Sequence, residues 1–369
     1  MKIGIFTFHC AANYGAVLQT YCLQEVLKGM GHDVYVIDYR PAYLLEPYKT
    51  FLYHSNSFSS CLAKCKGFVR ACLVAPIRWK RNKNFSKFIH SRLNLYHLDL
   101  NDESNDFDVF VFGSDQIWNP KITCGFDKVY LGDFPAAKGK KLIAYAASVG
   151  SVSNLVGEDV NYFLSRLRCF DNVFVREKSL SEFLGNKLSE KFEIVFDPVL
   201  LAGPTIFYEL LDLYGDIKRK QEGKYLLLFQ LDRNDKVAHY ANFVAKIGKF
   251  KMIEVVTMSE SIWSNKIKQS VSIEKLLYYF VNSSYIITSS FHGTALSFLF
   301  NKQFNTISIN KGIDERALSL LKCFNLSCRM LKVNDEISFD LIDYKSINDL
   351  YKKKRLESYS LLNESLLCH

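Results

Sequence analysis

Four places in this 369-residue chain combine side chains that could bind an anion, move a proton or hold a sugar. The first is Thr288-Ser-Ser-Phe-His-Gly-Thr294, between the apolar run Tyr285–Ile287 and the segment Thr294–Phe300, which is rich in Ala, Leu and Phe. A strand, a glycine turn and a helix in that order aim the free N–H groups at Gly293 and Thr294 into the crevice beyond the strand's carboxyl end. That crevice favours an anion. His292 stands in the turn, where an imidazole can give or take a proton near neutral pH. An ordinary turn histidine bonded to a neighbouring carbonyl would read the same way. The second place is Gly113-Ser-Asp-Gln-Ile-Trp-Asn-Pro120, after the apolar run Phe107–Phe112. Ser114, Asp115, Gln116 and Asn119 offer hydrogen bonds and Trp118 offers a ring, a mix that suits sugar recognition. A capped turn around a buried Trp would use the same residues. The third is His9–Gly15, a second cradle for an anion or sugar. Here Asn13 is a fitting N-cap and Gly15 lets a ligand approach the backbone beside Tyr14. It lacks G-x-G-x-x-G spacing and is no dinucleotide fingerprint. The fourth is Arg176, after the short run Asn172–Val175, whose fork suits a carboxylate, a phosphate or a structural bridge to Glu177 or a nearby Asp.

The elements that must position these residues alternate. Lys2–Phe8, Asn13–Lys28 and Asp33–Asp38 read as a β-α-β unit. Phe107–Phe112, Lys141–Ala147, Asn172–Val175 and Phe192–Phe196 read as further strands, and Asp197-Pro198 with Gly203-Pro204 punctuate an exit. A second series follows. Its strands are Tyr225–Leu231, Met252–Thr257, Tyr285–Thr288 and Phe304–Ile309, interleaved with helices near 235–247, 273–281, 294–300 and 315–324. The expected fold class is α/β, with two doubly wound Rossmann-like domains, 1–200 and 201–369, facing a central cleft in a GT-B-like layout. Ser346–Leu367 reads as a closing C-terminal helix. Residues 43–100 interrupt the first series. Ser57–Ala75 and Ile77–Arg92 read as two helices split by Pro76. Their basic and apolar residues interleave, which suits an anionic membrane surface or a solvated basic face over the core.

Composition narrows the partners. A formal charge of +9 suits an acidic or phosphorylated ligand or an anionic membrane. No arginine-rich tail, zinc-finger spacing or RNA signature points to nucleic acid. No apolar run approaches ~20 residues, so no membrane span is expected, and no leader is apparent. The ten cysteines are scattered. Cys61 and Cys65 have no partner pair to complete a metal set, so no metal is expected, and reduced thiols fit a cytoplasmic protein.

Six motifs occur in a fixed order: Asn13-Tyr-Gly-Ala16 with Leu18-Gln19, Phe112-Gly-Ser-Asp-Gln-Ile-Trp-Asn119, Tyr145-Ala-Ala-Ser148, Val175-Arg-Glu-Lys-Ser179, Asp197-Pro198 and Ser290-Phe-His-Gly293. With them the chain resembles the polysaccharide pyruvyl transferase family over roughly Lys2–Leu321. The resemblance implies a bacterial GT-B-like transferase without a cofactor, using phosphoenolpyruvate as co-substrate. It would form a cyclic ketal on a galactose- or mannose-type hexose of a capsular, exopolysaccharide or cell-wall precursor. The acceptor is often lipid-linked at the inner membrane face, so a cytoplasmic protein, peripheral at that membrane, is expected. The acceptor side would be the first domain, with Asn13, Tyr14, Gly15, Ser114, Gln116, Trp118 and Asn119, and with Asp115 holding or deprotonating a hydroxyl. The donor side would be the second. His292 matches the family's donor-site His and Arg176 a donor-binding Arg, joined by Ser290, Gly293 and Thr294. Several family members carry an Arg where this chain has Ser290. Lys311 or Arg316 would supply that charge, Arg316 being the better placed. The rival readings are a nucleotide-sugar glycosyltransferase, which would want a ribose-gripping Glu that Thr294–Asn301 lacks, and a non-catalytic carbohydrate-binding relative.

Overall fold

The computed structural model describes the chain except residues 53–60, 158, 214–223, 259–266, 310, 334, 338 and 368–369, and except the side chains of 61–64, 213 and 311–314. The first series opens with β1 (Lys2–Phe6), α1 (Tyr14–Gly29) and β2 (Asp33–Ile37), with β1 and β2 parallel. The short α2 (Ala42–Leu45) and the 32-residue α3 (Cys61–Arg92) lead to β3 (Leu95–Tyr96). Then come β4 (Val109–Asp115), α4 (Pro120–Thr123), β5 (Lys141–Ala147), α5 (Asp159–Leu167), β6 (Asn172–Val175) and α6 (Lys178–Leu188). The sheet order is β3-β2-β1-β4-β5-β6 and every pairing is parallel. That is the order of a dinucleotide-type doubly wound sheet, with its switch point beside β1 and β4.

Two short helices, α7 (Pro198–Ala202) and α8 (Thr205–Leu213), carry the chain onward. The second series runs β7 (Tyr225–Gln230), α9 (Asp235–Ile247), β8 (Lys251–Val256), β9 (Ile267–Lys268), α10 (Ile273–Asn282) and β10 (Tyr285–Thr288). It continues with α11 (Phe291–Leu299), β11 (Phe304–Ile307), α12 (Lys311–Cys323), β12 (Met330–Leu331) and α13 (Tyr344–Leu367). Its sheet order, β12-β11-β10-β7-β8-β9, repeats the pattern of the first.

Side-chain alternation explains how the two sheets join. In β4, Val109 and Val111 face one core while Phe110 and Phe112 face another; in β7, Leu227 and Phe229 part from Leu226 and Leu228 in the same way. Period-two patterning on both faces gives each sheet two apolar surfaces. One surface of each enters a single shared core, together with α1, α3, α10 and α11. The C-terminal helix closes that layer by returning to the first domain's exit. Tyr351 donates to the carbonyl of Leu200 (2.6 Å), Arg355 Nε to that of Leu201 (2.6 Å), and Ser358 Oγ accepts from the Phe196 amide (3.1 Å).

Two expectations need correction. Pro76 does not split 57–92: it sits inside one continuous helix, α3. Both Pro76 and Cys72, whose carbonyl it leaves without a donor, are exposed, so water can satisfy that carbonyl. The segment Ser57–Ser60 lies outside the described residues. The expected strand Phe192–Phe196 reduces to a single bridge between Val175 and Ile194. Beyond it the chain turns toward α13, which takes the Phe196 amide.

The buried Tyr351 bond and an exposed neighbour give a stability test. Tyr351→Phe should lower unfolding free energy by about 1–2 kcal/mol in urea denaturation, because the Leu200 carbonyl loses its donor. Lys352→Ala, on the exposed side of the same helix, should stay within about 0.5 kcal/mol.

Candidate active site

The site is built on two helix N-termini from different domains. At the end of β10, Thr288 Oγ1 donates to the Phe229 carbonyl (2.9 Å) and accepts from the Ser290 amide (3.2 Å). Ser290 then caps α11, its Oγ accepting from the Gly293 amide at 3.4 Å. The helix therefore begins at Phe291, three residues before the expected Thr294, and His292 lies in its first turn. A Cβ at Gly293 would stand 2.1 Å from Thr288 Oγ1, so only glycine lets α11 settle on the strand. In the first domain Asn13 caps α1 by accepting from the Gly15 amide (2.9 Å). A Cβ at Gly15 would stand 2.1 Å from His292 Nδ1. The imidazole thus rests on the backbone of the facing helix's first turn, and a glycine is required there for contact with the other domain.

Behind His292 lies a buried charge cluster. Asp197 caps α7 by accepting from the Val199 amide (3.0 Å) and pairs with Arg176 Nη1 at 2.9 Å. The other face of the Arg176 fork reaches Glu177 at 3.1 Å. Ser114 Oγ stands 3.4 Å from Asp197 and 3.1 Å from Gln19 Oε1. His292 Nε2 is 3.7 Å from Asp197 Oδ2, within ion-pair range but beyond a hydrogen bond, and among the described residues it has no hydrogen-bond partner. Burial pushes the Asp197 carboxyl up, but the His292 ring, the Arg176 guanidinium and the Val199 amide hold it well below the usual carboxylate range. Burial, then the like charge of Arg176, brings the Arg316 guanidinium down to about 10, so it stays cationic at neutral pH. Both guanidiniums lie against the Phe291 ring, Arg176 at 4.8 Å and Arg316 at 5.7 Å from its centroid.

A cavity of about 250 Å³ opens between the domains in front of this cluster. Asn13, Gly15, Tyr48, Asp115 and Gln116 line it from the first domain, and Phe229, Ser290, His292 and Arg316 from the second. Asp115 reaches it through a left-handed backbone conformation (φ 77°), which costs a non-glycine residue of order 1–3 kcal/mol and is the kind of strain found at functional sites. A larger groove of about 900 Å³ runs between α12 and α13 and meets the charge cluster only at its edge, through Glu177.

The residues singled out from sequence divide into three groups. Asn13, Gly15, Asp115, Gln116, Ser290, His292 and Arg316 line the cavity. Ser114, Arg176, Gly293 and Thr294 stand directly behind it, Thr294 bonding the Ser290 carbonyl (3.0 Å). Three others serve structure. Trp118 is 1 % exposed, packs edge-on against Phe163 and donates to the Tyr130 carbonyl (3.0 Å), so its ring is closed to a sugar. Asn119 caps α4 and binds Gln116. Tyr14 donates to the Val271 carbonyl (2.7 Å), joining the domains. Lys311 opens α12, but its side chain lies outside the described residues. From sequence, Asp197-Pro198 stands as loop punctuation and as one of the family motifs, with no role assigned to Asp197 at the site. Its signal was present all the same: an ionisable residue ending an apolar run, immediately before a proline at a helix's first position.

The model of the family described as polysaccharide pyruvyl transferase matches residues 13–311. No curated protein matches the sequence. Among solved structures, the UDP-GlcNAc 2-epimerase from Neisseria meningitidis bound to UDP-GlcNAc superposes with a TM-score of 0.50 at 10 % identity, covering 100 % of both chains. The S. aureus MnaA–UDP co-structure gives 0.47 at 12 % identity, with 99 % of this chain and 90 % of that one. The glycosyltransferase SnogD from Streptomyces nogalater gives 0.43 at 12 %, with 100 % and 98 %. The architecture is thus the GT-B-like one expected, with two parallel six-stranded sheets and their helices.

The buried pair predicts a linked pH effect. Asp197→Asn should cost roughly 3–5 kcal/mol at neutral pH, because the buried Arg176 charge loses one of its two carboxylate partners and keeps only Glu177. The folded carboxyl titrates below its unfolded value of 3.8, so its contribution is complete above that value and fades as pH falls through it. The difference between wild type and variant in denaturation curves should therefore begin to shrink below about pH 4 and keep shrinking as pH falls toward the lower folded value.

Proposed function

The chain belongs to the polysaccharide pyruvyl transferase family, and we propose that it moves a pyruvyl group from phosphoenolpyruvate onto two hydroxyls of a hexose. The acceptor would be a galactose- or mannose-type unit of a capsular, exopolysaccharide or cell-wall precursor, carried on a lipid at the inner membrane face. The observation that carries this reading is the meeting of the α1 and α11 N-termini and Arg316 at His292. Phosphoenolpyruvate bears a carboxylate and a phosphate on a small frame and needs two anion sites close together. The positive dipole ends of two helices, whose Gly15 and Gly293 amides are taken by their caps, and the Arg316 guanidinium support such a pair of sites. Arg176 spends two N–H groups on Asp197 and Glu177 and keeps a buried Nη2 without a hydrogen-bond partner among the described residues, which an anion could take. The cavity, about 250 Å³, falls below the roughly 300–1,000 Å³ of drug-sized sites. This favours a compact donor over a nucleotide-sugar.

The chemistry follows from those positions. A proton delivered to the methylene carbon turns it into a methyl group and leaves C2 electron-poor. One acceptor oxygen bonds to C2 and gives up its proton. The C2–O bond to phosphorus's bridging oxygen breaks and inorganic phosphate leaves. The second hydroxyl then adds at C2, loses its proton and closes the ketal. Of the two hydroxyl protons, one balances that placed on carbon and one leaves with phosphate. His292, with the Asp197 carboxylate behind it to stabilise an imidazolium, is the group suited to protonate carbon or the departing phosphate. Asp115, across the cavity in its strained turn, is suited to take a hydroxyl proton.

His292→Ala should lower phosphate release from phosphoenolpyruvate with acceptor present by roughly 10²–10⁴-fold, with the thermal transition preserved. Near-full release by a folded His292→Ala protein would remove His292 from the mechanism. Stabilisation by a nucleotide-sugar and not by phosphoenolpyruvate in thermal titration would replace the donor.

A further inference from the structure

Helix α3 is 32 residues long, carries nine Lys and Arg, and contains no Asp or Glu. Its two long faces differ. Val74, Phe85, Phe88 and Ile89 point inward and are 1–5 % exposed. On the opposite face, at helical spacing, stand Phe68, Val69, Leu73 and Trp79, which are 49–56 % exposed. Lys80, Lys83 and Lys87 continue that outer face and are exposed. Lys83 Nζ lies 5.0 Å from the centre of the Trp79 ring. Phe51, itself 46 % exposed, adds its ring 5.7 Å from that of Phe68.

Large apolar side chains set at one side of a basic helix are costly to leave in water and do not suit a bare solvated face. Their pattern fits a bilayer surface. Trp and Phe enter the headgroup–acyl boundary, and the lysines pair with anionic headgroups. Among the described residues no helix is long and apolar enough to cross a membrane, so the helix would lie in the interface. We propose that the outer face of α3 docks the protein on an anionic phospholipid surface. The face is tied to the cavity. Asn82, on the same helix, donates to the Tyr48 carbonyl (2.7 Å), and Tyr48 lines the cavity. Arg81, also on α3, donates to the Thr257 carbonyl in the second domain (2.6 Å). Docking through α3 therefore holds the cavity mouth at a fixed distance from the lipid. The inference rests on the proposed lipid-linked acceptor for its purpose, but not for its physical basis.

The test is co-sedimentation of the full chain with vesicles of phosphatidylcholine alone and of an equal mixture with phosphatidylglycerol. Binding to the anionic vesicles should be stronger by at least roughly tenfold and should fall as salt rises. The triple variant Phe68→Ser, Leu73→Ser, Trp79→Ser and the charge reversal Lys80→Glu, Lys83→Glu, Lys87→Glu should each lose it while keeping wild-type circular dichroism. Equal binding to both lipids, no binding, or binding retained by both variants would overturn the proposal. So would a concentration-dependent dimer that the apolar triple variant abolishes in the absence of vesicle binding, since the partner would then be a second copy of the chain. Phosphate release with a water-soluble acceptor separates the two readings. Its absence sinks the transferase proposal whatever the vesicles show, and its presence without vesicle binding sinks only the docking.

Discussion

The carboxylate of Asp197 is fully buried and ionised, and much of the molecule is arranged to tolerate it. An isolated charge at that depth would cost several kcal/mol or more, so its partners must come to it. They arrive from four segments: Arg176 after β6, Ser114 within β4, the Val199 amide of α7 and His292 in the first turn of α11. The first three belong to one sheet and its exit, and the last belongs to the other sheet. The same carboxylate that neutralises Arg176 therefore sets where α11 may stand. On its far side the His292 ring can rest where it does only because residue 15 has no side chain. The histidine is located from behind by charge and from in front by backbone.

Domain packing makes that placement rigid. One apolar core runs beneath both sheets, with Tyr14, Val17 and Leu18 of α1, Phe85 and Phe88 of α3, and Phe291, Ala295 and Phe298 of α11 all in it. Phe298 stacks on Phe324 at 4.4 Å and stands edge-on to Tyr351 at 5.7 Å, so the second domain's helices grip the C-terminal helix, which is itself bonded to residues 196–202 of the first. Sliding one sheet over the other would unpack this layer. The two helix N-termini that face the cavity are consequently preorganised, and an electrostatic site gains most when its dipoles need no reorganisation as charge develops.

Much of this was legible in the sequence where local physics decides. Strands with apolar runs and helices with 3.6-residue spacing alternate so regularly that both sheets, their parallel sense and the inter-domain cleft follow. His292 at the head of a helix after β10 follows in the same way. What was not legible depends on distant partners. The polar-plus-aromatic composition of Ser114–Asn119 fits a sugar platform and a buried turn equally, and it is Phe163, Phe170 and the Tyr130 carbonyl, more than ten residues away, that make Trp118 a core residue. Ser290 looks like a missing charge, yet its hydroxyl caps α11, and a guanidinium beside the Phe291 ring comes from Arg316 on the next helix. Pro76 would end a helix in isolation. Here Ala71 and Val74 on one side of it and Phe85 and Phe88 on the other are buried on one face, and that packing outweighs the loss of one backbone bond.

The charge ledger of the site explains why Arg176 and Arg316 are both present although they repel each other. Within the cluster Arg176 is answered by Asp197 and Glu177, which raise its pKa despite burial, whereas Arg316 is left with a guanidinium drawn down by the same burial and by Arg176. One arginine is therefore held between two buried carboxylates, and the other stands further forward beside the Phe291 ring. Arg316 is also the one that lines the cavity. A multiply charged anion entering there would relieve the repulsion between the two guanidiniums and supply the dipoles of α1 and α11 with the negative charge they face.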